Sequence, residues 1–282
     1  MVTSGGMRPR KLAVELRARA GRARRRLNWV LSWAPGLARV LIPSPLRDPA
    51  VTRAYGRYLA GKRVALVGPA PSIEGSRQHD LIESHDVVAR VNHALPVPAH
   101  LQPDVGCRTD VLYHNLWRGD QRALPFAELV ALLDGHVQWV CAAYPYLNLD
   151  HPFADDIDRF VTDLAGRVPF HVPSNRRYLR TWWDCRTRPN AGVSAIADLL
   201  SFDIARLYLT GFTFYAGSQA YHAGYRGSGR GSETIHDQGR QRAFVARTLR
   251  TDARLVVDEV LGRILATSSP TSPPTSTGDE QP

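Results

Sequence analysis

The chain has 282 residues and is 44% apolar, enough for a substantial core in one large domain or two modest ones. Its formal net charge of +10 admits nucleic acid, an anionic membrane surface or an acidic substrate as partner. Much of the charge sits in Arg8, Arg10, Lys11, Arg17, Arg19, Arg22, Arg24, Arg25 and Arg26, opposed only by Glu15. The body is therefore nearer neutral, and without a basic stripe interleaved with aromatics it argues against a nucleic-acid partner.

In chain order, residues 1–60 read as a basic helical arm. Pro35, Gly36 and Arg39 interrupt the apolar stretch 27–43, and no run reaches the ~18 residues of a membrane span. Trp29 and Trp33 beside the arginines suit an anionic membrane interface contacted through residues 8–40; a helix packed on the domain is the plainer reading. Residues 61–265 read as a globular domain. Arg63–Val67 is an unbroken apolar run of strand length ending at Gly68-Pro69, as expected of a strand buried on both faces. Further strands are expected over Asp86–Val91, Asp110–Tyr113, Val137–Cys141 and Arg206–Thr210, with helices over Ala191–Leu200 and about 239–264. Tyr144, Tyr146, Trp182 and Trp183 are aromatics of the core or of loop anchors, the last two also candidates for an acceptor side. Residues 266–282, rich in Ser, Thr and Pro, have too little apolar surface to order. The alternation of strands and helices predicts an α/β, Rossmann-like fold with a mostly parallel sheet flanked by helices. Ligands of such folds bind beyond the carboxyl ends of the strands, near Gly68, Asn92, Asn115 and Gly211.

Several residue types there suit a phosphate-bearing ligand. Gly68 allows close backbone approach, and Ser72 is a hydroxyl donor or a cap. Asn92 offers an amide donor and a carbonyl acceptor, while Arg90 and Asp104 are expected to pair and hold loops. Gly192 opens a helix whose free amides favour an anion, with Asn190 as extra donor or plain cap. His222 begins a glycine-rich stretch, Ala223–Gly231, that reads as a lid. His236 is the candidate general base, since imidazole titrates near neutral pH. Asp237 orients it or favours the helix start. Asp155, Asp156 and Asp158 point in different directions on a helix, and no metal-ligand spacing is present. Cys107, Cys141 and Cys185 are far apart and form no CxxC pair, so a reducing cytoplasm is expected.

Taken together, the segment 64–109 resembles the large sialylmotif of the animal-type sialyltransferases. The shared features are an apolar strand, a glycine turn, Ser84-His85-Asp86, Arg90-x-Asn92, and Asp104-Val105-Gly106-x-Arg108-Thr109. Pro189-Asn190-Ala191-Gly192 is similar to the small motif, and Tyr208–Tyr215 to a segment of bacterial sialyltransferases that make lipooligosaccharide. Tyr221-His222 is similar to the third motif and His236-Asp237 to the very small one. The family's turn carries an Asn where Pro69 or Ala70 stands, its small motif reads Ser-Thr-Gly, and Gln241 replaces a Glu. The resemblance implies a GT-A-like variant of the fold and an inverting, metal-independent transfer without cofactor. Sialic acid or a related ulosonic acid would pass from a CMP-sugar co-substrate to a glycan hydroxyl, with His236 as base and His222 at the leaving phosphate. Gly68, Ser72, Asn92, Asn115, Asn190, Ala191, Gly192, Gly211, Phe212 and Thr213 would line the nucleotide pocket of a bacterial enzyme at the inner membrane. The rival reading is a nucleotide-binding protein of the same fold without catalysis.

Overall fold

The computed structural model describes residues 44, 46–116, 125–145, 154–216, 221–222 and 236–267. The arm contact at 8–40, Tyr146, the stretch Ala223–Gly231 and the tail from 268 lie outside them. Seven strands form one sheet: β1 (Arg63–Val67), β2 (Val87–Val91), β3 (Val111–His114), β4 (Trp139–Ala142), β5 (Phe170–His171), β6 (Arg206–Thr210) and β7 (Leu255–Val257). Their order is β5-β4-β3-β2-β1-β6-β7, and every pairing is parallel. The chain moves outward from β1 to β5 and then crosses back to lay β6 on the other side of β1. The β1–β6 junction is thus the switch point, where parallel sheets open a crevice.

The helices are α1 (Pro49–Leu59), α2 (His79–Glu83), α3 (Gln102–Val105), α4 (Phe126–Leu133), α5 (Ala154–Leu164), α6 (Asn175–Cys185), α7 (Ala191–Leu199), α8 (Gln238–Thr251) and α9 (Glu259–Ala266). Val64 and Leu66 of β1 join a core with α1, α7, α8 and α9, whereas Ala65 and Val67 join one with α2 and α3. Leu112 and Val140 pack on α4 and α5. Burial on both faces is why the strands lack polar alternation.

Two sequence expectations are corrected. Pro49–Leu59 is no part of an arm: Asp48 caps it, accepting from the Ala50 amide at 2.7 Å, and Tyr55 and Leu59 are fully buried in the core. The single closing helix is two helices with β7 between them. Asp252 ends α8, Leu255–Val257 pairs with β6, and Asp258 caps α9 by accepting from the Leu261 amide at 2.7 Å, so capping and strand pairing override helical periodicity. No described helix is long and apolar enough to cross a membrane.

Candidate functional site

The two strand ends at the switch point are locked by a glycine pair. The Gly68 amide donates to the Thr210 carbonyl and the Ala70 amide to the Gly211 carbonyl. A side chain at Gly211 would meet the Gly68 carbonyl oxygen at 2.5 Å, and one at Gly68 would run into the Gly211 carbonyl. Gly211 also has φ +71°, a left-handed conformation natural to glycine. Gly68 is therefore required by backbone against backbone, the close approach being to Gly211 of the neighbouring strand end. Asp258 secures the same turn, accepting from the Gly211 amide at 3.1 Å.

An open cleft lies over this junction. Its lining includes Asn92, Asn190, Ala191, Gly192, Gly211, Phe212 and Thr213, seven of the residues expected from sequence, and adds Pro69, Phe214, Tyr215 and Tyr221. Asn92 sits at φ +50°, which asparagine tolerates. Its Oδ1 accepts from the Asn115 amide at 2.9 Å, a bond that engages the oxygen and not the N–H groups of the side-chain amide. Asn115 thus supports Asn92 and is not itself in the lining. Ser72, in a single 3-10 turn at Pro71–Ile73, is also outside it.

On the opposite wall α7 begins. The Asn190 Oδ1 accepts from the Val193 amide at 2.9 Å, so Asn190 is the helix cap. The Ala191 and Gly192 amides, the first two of the helix, have no intrahelical acceptor, and both residues line the cleft. The Phe212 ring packs on this helix start, so close that a side chain at Gly192 would meet Cε1 at 2.8 Å. Phe214 and Tyr215 both have positive φ, +50° and +57°. The turn they form closes with the Ala216 amide donating to the Thr213 carbonyl. Two such non-glycine residues hold on the order of 1–2 kcal/mol of strain each. Tyr215 and Tyr221 join through their hydroxyls at 2.7 Å, building an aromatic rim that residue types alone do not reveal.

His236 is buried beside the Asn190 wall. Its Nδ1–H donates to the Arg188 carbonyl at 2.8 Å; a carbonyl only accepts, so the neutral ring carries its lone pair on Nε2. Burial, with the Arg188 charge adding to it, holds the imidazole below its ordinary pKa, against the opposing effect of the carbonyl bond. Gln241, where the resembled family has Glu, is fully buried. It donates to the same Arg188 carbonyl and accepts from the Asn190 amide, both at 3.3 Å. It therefore ties α8 to the start of α7. Asp237 caps α8, accepting from the Arg240 amide at 2.9 Å.

His222 is brought elsewhere. Its amide donates to the Pro69 carbonyl at 2.9 Å, and its ring lines an adjoining smaller cavity with Gly68, Arg90, Val97 and Leu101. Arg90 and Asp104 do not pair. Arg90 donates to the Val105 carbonyl at 2.7 Å and Thr109 Oγ1 at 3.0 Å, whereas Asp104 accepts from the Gly75 and Arg77 amides at 2.9 Å. Each braces a separate loop through backbone groups, which explains the Arg-x-Asn and Asp-x-x-x-Arg-Thr spacing as scaffolding. Among the described residues no group of His, Cys, Asp or Glu is arranged to hold a metal ion.

One support of the Asn92–Asn115 corner predicts a pH effect. His114 is buried and its Nδ1 accepts from the Leu116 amide at 2.9 Å. Burial first, then His93, lowers its pKa to about 3. The folded ring stays neutral while the unfolded ring takes up a proton below its ordinary value of about 6.5, so stability falls as pH drops from there toward 3, by about 1.4 kcal/mol per unit. Urea unfolding of wild type and His114→Gln at pH 6.5 and 4.5 is expected to show a loss smaller by about 2–3 kcal/mol in the variant.

No family model matches the chain, and no curated protein matches it in sequence. Among solved structures, it is similar to a mammalian sialyltransferase at 14% identity, covering 90% of this chain and 87% of that one with a TM-score of 0.47. It is also similar to the sialyltransferase CstII from Campylobacter jejuni in complex with the substrate analogue CMP-3FNeuAc, at 14% identity over 70% of this chain and 81% of that one, with a TM-score of 0.46.

Proposed function

We propose that the protein is an inverting glycosyltransferase that moves sialic acid or a related ulosonic acid from a CMP-sugar to a glycan hydroxyl. The observation that carries this reading is the convergence of segments distant in sequence. Asn92 of the large-motif resemblance, Asn190–Gly192 of the small one and Gly211–Thr213 border one cleft, and His236 is fixed at its Asn190 wall through Arg188. In this reading the Asn92 side-chain N–H groups bind the nucleotide, the Ala191 and Gly192 amides meet the phosphate, and Phe212 to Tyr215 with Tyr221 form the apolar rim. The His236 Nε2 takes the proton of the acceptor hydroxyl as its oxygen bonds to the anomeric carbon. The bond from that carbon to the phosphate oxygen breaks, and cytidine monophosphate leaves with the electron pair, its charge held at the start of α7. His222 in this scheme steadies the Pro69 turn from the adjoining cavity. We assign the protein to the inner face of a bacterial cytoplasmic membrane, held there by residues 8–40.

A thermal-shift panel tests the donor class. Cytidine monophosphate at a hundredfold excess over its Kd is expected to stabilise the protein by about 2.7 kcal/mol, with no response to uridine or guanosine diphosphate. A response to the diphosphates alone would overturn the donor assignment. Gly192→Ala tests the phosphate wall: the added methyl collides with the Phe212 ring, which also lines the cleft, and titration calorimetry is expected to show cytidine monophosphate bound about tenfold more weakly, or ~1.4 kcal/mol.

A further inference from the structure

Helix α6 presents two faces of different character. Asn175, Tyr178, Thr181 and Cys185 are buried. The other face carries Arg176, Arg180 and Trp183 at helical spacing, with Trp182 alongside and Arg186 just past the end, all exposed. Trp183 is 70% and Trp182 42% exposed, a large apolar area for a soluble surface to leave in water. The Arg186 guanidinium lies 5.0 Å from the Trp183 ring centroid. Two arginines of α8 extend the patch: Arg240 donates to the Arg186 carbonyl at 2.6 Å and Arg247 to the Asp184 carbonyl at 2.8 Å. The acids within it are Asp184, 3.8 Å from Arg180, and Asp237, 3.2 Å from Arg240. Two exposed indoles thus share the outer surface of α6 with Arg180 and Arg186, next to Arg240 and Arg247 of α8, and these arginines outnumber the acids.

We infer that this face docks on an anionic phospholipid surface, with Trp182 and Trp183 at the depth of the headgroups and the arginines on the lipid phosphates. Indoles with an apolar body and a polar N–H favour that boundary, and the charge of these arginines is complementary to anionic lipid. The basic segment 8–26 has the same sign as the patch, so it is an unsuitable cover. A second copy would bring like charges together. The inference deepens the reading of residues 8–40 as a membrane contact, on which it rests for the presence of a bilayer, and adds a second attachment on the folded body. The patch ends two residues before Arg188, whose carbonyl holds His236. Docking there therefore fixes the Asn190 rim of the cleft near the lipid surface.

The test uses the full chain with phosphatidylcholine vesicles, with and without phosphatidylglycerol, carrying brominated acyl chains that quench nearby indoles. The variant Trp29→Phe/Trp33→Phe removes the arm's reporters and is expected to remain quenched on vesicles containing phosphatidylglycerol. Adding Trp182→Phe/Trp183→Phe should abolish that quenching, with circular dichroism unchanged. Arg180→Glu/Arg186→Glu is expected to weaken vesicle binding, read by flotation, about tenfold. Equal quenching with and without Trp182 and Trp183, or none once Trp29 and Trp33 are gone, overturns the inference. In the second case wild-type binding would still support the contact at 8–40. If wild type does not float with anionic vesicles at all, the arm's reading fails and the inference falls with it.

Discussion

His236→Ala is expected to lower the rate of sugar transfer by about 10²–10⁴-fold while leaving affinity for cytidine monophosphate unchanged. The split follows from the position of the ring. His236 is held at the Arg188 carbonyl beside the cleft and is not among the residues that line it, so its loss removes a proton acceptor and no nucleotide contact. Nor should the variant misfold, because the Arg188 carbonyl keeps Gln241 as a donor. The pH profile gives a second readout. A base works only when neutral, and burial holds this imidazole below its ordinary pKa. Wild-type activity should therefore persist on the acid side of about 6.5 and fall at lower pH, as Nε2 becomes protonated. His236→Ala should lack that acid limb. An unchanged rate and limb would move the base elsewhere. Wild type that binds cytidine monophosphate and transfers no sugar to any acceptor would favour a binding protein of the same fold.

What the sequence discloses here depends on how local the cause is. Strands β1, β2, β3 and β6 are legible because burial on both faces leaves mostly apolar runs, broken inside only by Arg90 of β2. Strand β5 has two residues and β7 three, too few to set a pattern, and β7 interrupts a stretch whose spacing reads as helix. In the site, Asn92, Gly192 and Gly211 are legible because asparagine and glycine at strand ends and helix starts carry their chemistry with them. Their pairings are not. That the Asn92 carbonyl is taken by Asn115, that Arg90 and Asp104 serve different loops, and that His222 lines a neighbouring cavity all depend on contacts between segments. The positive φ of Phe214 and Tyr215 is equally hidden, because neither residue type favours it; the surrounding fold imposes it.

Asp198→Ala is expected to be the most destabilising single change in the described core, by about 3–5 kcal/mol. Asp198 is buried in α7 and accepts from three donors on three other elements: Tyr113 Oη at 2.8 Å, His171 Nε2 at 3.0 Å and Arg177 Nη1 at 3.2 Å. Tyr55 of α1 continues the chain, 3.1 Å from the Tyr113 hydroxyl. Burial by itself would raise the carboxyl's pKa, but the charges and hydrogen bonds of His171, Arg177 and Tyr113 outweigh it and lower the pKa. The stabilisation is thus present above the ordinary carboxylate pKa and is lost as pH falls through the lowered one. Alanine leaves the buried Tyr113 hydroxyl and His171 ring without this acceptor, and a buried donor so stranded forfeits its full desolvation cost. The substitution Asp198→Asn keeps the shape and one acceptor oxygen, so urea unfolding should rank wild type above Asp198→Asn above Asp198→Ala. The same helix brings Ala191 and Gly192 to the cleft. Cytidine monophosphate at a hundredfold excess over its Kd for Asp198→Ala should restore about 2.7 kcal/mol, as expected of any ligand that binds only the folded state. A variant that is destabilised as expected but gains nothing from the nucleotide would mean that its folded state no longer binds cytidine monophosphate.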